Sequence, residues 1–229
     1  MFCLYAHWTC SAGPATTGFF SQQVLALGRL ALDGRDGLQQ QLSGQNCPPE
    51  STSEDLLLQA WAKWGPACLQ NIIGDFSFAL WDSVEKTWWC ARDFIGARPF
   101  FYAHVPGVFC FSNTLQILPR VPELSGQLDE TFLGDFLTHG WNLDLERTVY
   151  RDIHRLPSGH LLKFSNNALT VRRFRKLPIE EPHHLGRPEE YLQTYLDLLN
   201  LTDMTNSRGK SGSPDGGKKG VGTKRYTGK

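Results

Sequence analysis

The chain has 229 residues, 41% of them hydrophobic, and its 23 Lys plus Arg balance 23 Asp plus Glu. That length buries one good-sized core with at most a small addition, and no apolar run reaches membrane length, so a soluble chain of one main domain is expected, with no membrane partner. The neutral total conceals a division: residues 201–229 hold seven Lys or Arg against two Asp, which leaves the tail at about +5 and the body at about −5.

The first clear element is "STSEDLLLQAWAKWG", residues 51–65. It predicts a helix capped by Ser53, with Glu54 and Asp55 at the positive end of its dipole. Leu57, Ala60, Trp61 and Trp64 share one face before Gly65 ends it. Next, "DFSFALWD" sets Phe76, Phe78 and Leu80 against Ala79 and Trp81, the pattern of an inner strand covered on both sides. The turn "SVEK" returns it into "TWWCARD", and "RPFFYAH", "VPG" and "VFCFSN" make a second hairpin, so four strands follow in succession.

Asp129 then caps "ETFLGDFLTHG", whose Phe132, Leu133, Phe136 and Leu137 predict an apolar stripe ending at Gly140. After a tight "LPSG" bend, "HLLKFSNNALTVRRF" predicts a last hairpin turning at Asn166-Asn167. Helix, meander, helix and hairpin imply an α+β, layered sandwich rather than alternating β-α units. Residues 188–199, "PEEYLQTYLDLL", read as one more amphipathic helix with Leu192, Tyr195, Leu196 and Leu199 facing inward. Beyond them the composition turns to Gly, Ser and Lys, which predicts a disordered tail.

Arg29 is the single positive charge among the first thirty residues, so the basic start of a secretory or transit peptide is missing and a cytoplasmic location is expected. Six cysteines (Cys3, Cys10, Cys47, Cys68, Cys90, Cys110) stand far apart with no C-x-x-C pair, which fits neither a zinc site nor a dense disulfide framework. His183-His184 has no carboxylate or cysteine at metal-ligand spacing and reads as a solvated loop. The basic tail has one aromatic, Tyr226, and no binding fold, so nucleic acid is not an expected partner.

The runs "SEDLLLQAWAKWGPACLQNIIGDFSFALWD", "CARDFIGARPFFY", "FCFSN", "LDETFLGDFLTHG" and "TVYRDIHRLPSGHLLKF" occur in an order that resembles the amino-terminal glutamine amidotransferase domain of asparagine synthetases. The resemblance runs from about Gly28 to about Phe174. It implies a four-layer α-β-β-α sandwich of the type with an N-terminal nucleophile, which hydrolyses glutamine and passes ammonia to a second domain. There, with ATP and magnesium, aspartate is activated as an acyl-adenylate and ammonia displaces AMP. The resemblance divides the chain into a divergent segment 1–27, an amidotransferase domain 28–178, a connector and truncated synthetase start 179–200, and a basic tail 201–229.

Carried over residue by residue, the family pattern finds its parts altered. Its nucleophile is a cysteine heading the mature chain, with its own α-amino group as base, and here the corresponding position is Phe2, with Cys3 one place later. Its oxyanion donors are an Asn-Gly pair, and the nearest match is Asp33-Gly34, of which Gly34 alone keeps a donor. Its Asp for the glutamine α-amino group corresponds to Ser53, with Glu54 next door, and Arg29 is the candidate for the glutamine carboxylate. Within "CARDFIGARPFFY" the resemblance implies a structural bend. Gly96 supplies a positive φ or a close approach, and Asp93 accepts from turn amides or pairs with Arg92 or Arg98.

The family's ATP loop, Ser-Gly-Gly-x-Asp-Ser, lies between a buried strand and a helix. "SGSPDGG", residues 211–217, shares its letters but follows Arg-Gly-Lys and contains Pro214, a chance match. No cofactor is therefore expected in this chain; ATP and magnesium would belong to a separate synthetase domain or subunit, and glutamine is the expected small-molecule partner. Three readings stand: a domain that has lost glutaminase activity, a fragment of an active synthetase, and a binding module that docks a synthetase partner.

Overall fold

The computed structural model describes residues 3–7, 19–20, 24–42, 51–176 and 187–207. In chain order the strands are β1 (Cys3–His7), β2 (Phe19–Phe20), β3 (Val24–Asp33), β4 (Ile73–Asp82), β5 (Thr87–Arg92), β6 (Phe101–Val105), β7 (Val108–Ser112), β8 (His154–Arg155), β9 (His160–Ser165) and β10 (Ala168–Arg173). The helices are α1 (Arg35–Leu42), α2 (Ser53–Trp64), α3 (Glu130–His139) and α4 (Pro188–Ser207), with 3-10 helices at Gly65–Gln70 and Leu115–Arg120. Residues 1–180 and 181–229 form two units; α4 lies in the second, and all other described elements lie in the first.

The first unit contains a six-stranded sheet in the order β10-β9-β5-β4-β3-β2 and a four-stranded sheet in the order β1-β7-β6-β8. β1 runs parallel to β7, and the other ladders are antiparallel. The four successive strands expected from the sequence are present but divided, β4 and β5 in one sheet and β6 and β7 in the other. Each hairpin closes locally, whereas the segment between Asp93 and Phe100 carries the chain across the sandwich, a step that local alternation does not encode.

Side-chain alternation builds the layers. Phe76, Phe78 and Leu80 of β4 pack with Leu38 and Leu42 of α1 and Leu57 and Trp61 of α2. The intervening Ala79, with Trp81 packed against the same group, joins Cys90, Phe100, Phe109 and Phe111 between the sheets, as the period of two predicts. On the outer face of the small sheet, Phe101, Ala103 and Cys110 meet Leu118 of the second 3-10 helix, Val121 and Ile153. The fold is the expected α+β sandwich of four layers, with the fourth built from that 3-10 helix and its flanking segments.

Two helical expectations need correction, at α2 and α4, while that for α3 is met. The cap of α2 is Thr52, not Ser53: its hydroxyl accepts the Asp55 amide at 3.2 Å while Asp55 accepts the Thr52 amide at 2.9 Å. That reciprocal box satisfies two end donors, which Ser53, already inside the helix, cannot do. The α3 stripe forms on a helix capped by Asp129, but none of its residues is buried. In α4, Leu192, Tyr195, Leu196 and Leu199 are all exposed rather than inward-facing. Amphipathic spacing marks a face for burial without supplying the surface that covers it. The last hairpin turns where expected, with Asn166 and Asn167 both at positive φ.

Candidate functional site

One end of the space between the sheets is polar, and β3, β4 and β5 build it. Alternation along β3 puts Arg29, Ala31 and Asp33 on the face of Leu27, which packs into the inter-sheet core. The ladder pairs Arg29 with Ser77 and Ser77 with Arg92, so these three stand in a row across three strands. Asp75 pairs with Ala31 and lies diagonally from Asp33 on the same face. Burial, and secondarily the neighbouring Asp75 charge, holds the Asp33 carboxyl above the ordinary carboxylate range.

Asp33 ends β3, and Gly34 turns the chain into α1 at φ +61°, its carbonyl accepting the Gly37 and Leu38 amides. This left-handed position is one that side chains rarely adopt. The next residue, Arg35, donates to the Ser51 carbonyl, and the Leu32 amide approaches the Ser53 hydroxyl at 3.5 Å. The structure thus brings Asp33, Gly34 and Ser53 to one corner. Glu54 follows in the first turn of α2, and Arg29 stands four residues back along β3, exposed. Phe2 lies outside the described residues; Cys3 opens β1, opposite Val108 in the parallel ladder.

The charged turn is a separate piece of engineering in the backbone. Asp93 is buried, and its carboxylate accepts the amides of Gly96 at 2.5 Å, Ala97 at 3.1 Å and Arg98 at 3.3 Å. Its own carbonyl takes the Gly159 amide at 2.8 Å. The Arg92 guanidinium donates to the carbonyls of Gly96 at 2.6 Å, Arg98 at 2.7 Å and Leu156 at 2.9 Å. Gly96 has φ +80°, and a Cβ there would lie 3.0 Å from the Arg92 guanidinium. Of the two partners expected for Asp93, the turn amides are the ones found. The expected pairing with Arg92 or Arg98 is not among the ion pairs of the described residues.

Asp75 and Ser77 are the residues that the sequence reading missed at the polar end. Their signal was available in the alternation of β4, whose odd positions face the second sheet. His183-His184 and residues 211–217 lie outside the described residues, as do Cys10 and Cys47. Among the described residues, no helix is long and apolar enough to cross a membrane.

The model of the glutamine amidotransferase domain family matches residues 34–175, a span that holds the Gly34 corner and the Asp93 turn. The chain belongs to this family. Asparagine synthetase [glutamine-hydrolyzing] 3 of Bacillus subtilis is 26% identical over 140 residues, covering 61% of this chain and 23% of its own length. A putative asparagine synthetase [glutamine-hydrolyzing] of Mycobacterium bovis is 30% identical over 146 residues, covering 59% and 22%. Among solved structures, the glutamine phosphoribosylpyrophosphate amidotransferase of B. subtilis aligns over 69% of this chain and 31% of its own, at 16% identity and a TM-score of 0.46. The amidotransferase domain described above is thus asparagine synthetase-like, and the chain matches about a quarter of the length of these synthetases.

Proposed function

We propose that this asparagine synthetase-like amidotransferase domain keeps the glutamine-handling frame of its family and does not hydrolyse glutamine by itself. The observation that carries this reading is at the polar end, where Asp33-Gly34 stands in place of the family's Asn-Gly pair. Asp33 and Asp75 set two carboxyls where the reaction would need donors for a developing oxyanion, and Gly34 is the donor left there.

The test is ammonia and glutamate release from glutamine by the purified 229-residue chain, with its intact mass recorded and Cys3→Ala as control. No release from folded protein is expected. Release that disappears in the control would overturn the reading and assign the nucleophile to Cys3.

A second reading is supported by the relatives' length, about four times the matched segment. In it, the domain is part of a larger glutamine-using synthetase, or docks one, and the ATP and magnesium chemistry that converts aspartate to asparagine resides in that partner. Joint expression with a synthetase polypeptide from the same genome, followed by an assay for glutamine-dependent asparagine formation, checks it. Formation only in the joint preparation is the expected result.

A further inference from the structure

Helix α3 and the segment after it carry large apolar side chains in water. Phe136 is 52% exposed, Leu137 83%, Trp141 65%, Leu143 60% and Leu145 66%. Single exposed hydrophobics are ordinary, but five of this size so close in sequence make a patch of the kind that marks an interaction surface.

The patch is held in shape. Arg147 donates to Asp129, the cap of α3, at 2.8 Å and to Asp144 at 3.1 Å. The segment after Gly140 therefore returns from the end of α3 to its beginning. Within it, the Glu146 amide reaches Asp144 at 2.8 Å and the Asn142 side-chain amide reaches the Arg147 carbonyl at 3.4 Å. Between this segment, α3 and the start of β9 runs an open groove of about 590 Å³, whose wall includes Asp135, Asp144, Glu146 and His160.

Charge decides among occupants. Residues 123–147 carry six carboxylates and one arginine, and that arginine is already engaged by Asp129 and Asp144. A second copy of this surface would bring like charges together, and an anionic membrane would be repelled in the same way. We propose that the α3 ridge docks a separate polypeptide whose large apolar side chains are bordered by lysine or arginine, with one of those cations entering the groove between Asp135, Asp144 and Glu146. This docking is independent of whether glutamine is turned over.

The probe is a fluorescein-labelled helical peptide of about 18 residues with one leucine face and one lysine face, compared with a counterpart carrying glutamate for lysine. The full chain should bind the lysine peptide and protect amides of residues 130–147 from hydrogen exchange. The Leu137→Glu/Trp141→Glu variant should bind about tenfold more weakly, Asp144→Asn/Glu146→Gln several-fold more weakly, and the glutamate peptide about tenfold more weakly than the lysine one. All four positions are exposed, so the variants should keep the parent circular dichroism. Three results would each overturn the proposal. One is equal binding of the two peptides, and another is unchanged binding in the Leu137/Trp141 variant. The third is a concentration-dependent dimer in sedimentation that Leu137→Glu abolishes, which would make a second copy the occupant.

Discussion

The buried carboxylate of Asp93 accepts the Gly96 amide at 2.5 Å, the shortest of the contacts that close the turn through which the chain passes from the six-stranded to the four-stranded sheet. Asp93→Ala would leave the amides of Gly96, Ala97 and Arg98 without this acceptor. Hydrogen bonds from half-buried amides to a buried carboxylate are costly to lose, so a fall of about 1.5–3 kcal/mol in unfolding free energy is expected from urea titration. A loss below about 0.5 kcal/mol would show that water replaces the carboxylate.

Arg92 grips the same turn from the other side, donating to three carbonyls from one planar guanidinium. Arg92→Lys keeps the charge but replaces the fork with a single ammonium, which cannot reproduce that geometry. A lowered thermal midpoint, by roughly 2–3 kcal/mol of stability, is expected. Gly96→Ala should add its own cost, because φ there is +80° and its Cβ would press on Arg92 and on Ser158.

Acid should act through α3. The Phe132 amide, followed by the Arg147 guanidinium, holds the Asp129 carboxyl below the ordinary carboxylate range. A group with a depressed folded pKa stabilises the fold above its unfolded value, near 3.9, and loses that contribution as pH falls through the folded one. Urea midpoints followed from pH 7 down to about pH 3 should therefore fall, and Asp129→Asn, which still caps the helix, should flatten part of that fall. An unchanged acid limb in the variant would remove Asp129 from the account.

Thiol labelling should find Cys68, Cys90 and Cys110 unreactive in the folded protein. Burial pushes Cys68 up to about 12, Cys110 up to about 11 and Cys90 well above the ordinary thiol range. At pH 8, peptides carrying these three should resist iodoacetamide in the folded protein and react fully in denaturant, as read by mass spectrometry. Fast labelling of Cys90 in the native state would contradict its place between the sheets.

Much of this architecture was legible in local patterns. The alternation of Phe76, Phe78 and Leu80 against Ala79 and Trp81 assigned β4 and both of its faces correctly. β3 escaped because Gly28 and Arg29 interrupt its apolar run, and α1 because Gly37 sits in a polar, eight-residue helix with two buried residues, Leu38 and Leu42. The division of the four successive strands between two sheets was not legible, since strand partners are chosen by tertiary pairing. At the site, the Asp93 turn was legible through the family resemblance together with its Asp and Gly residues. The convergence of Asp33, Gly34 and Ser53 was not, because it depends on α1 folding back toward the start of α2.

The parallel pairing of β1 with β7 has a consequence for synthesis. Cys3 finds its ladder partner, Val108, roughly a hundred residues later, and parallel pairings of such long range are slow to form. On the ribosome, β1 emerges about a hundred residues ahead of β7 and cannot settle until the β6–β7 hairpin has been made. A truncation or stall within β6 or β7 would leave that segment without its edge, exposed to chaperones and proteases.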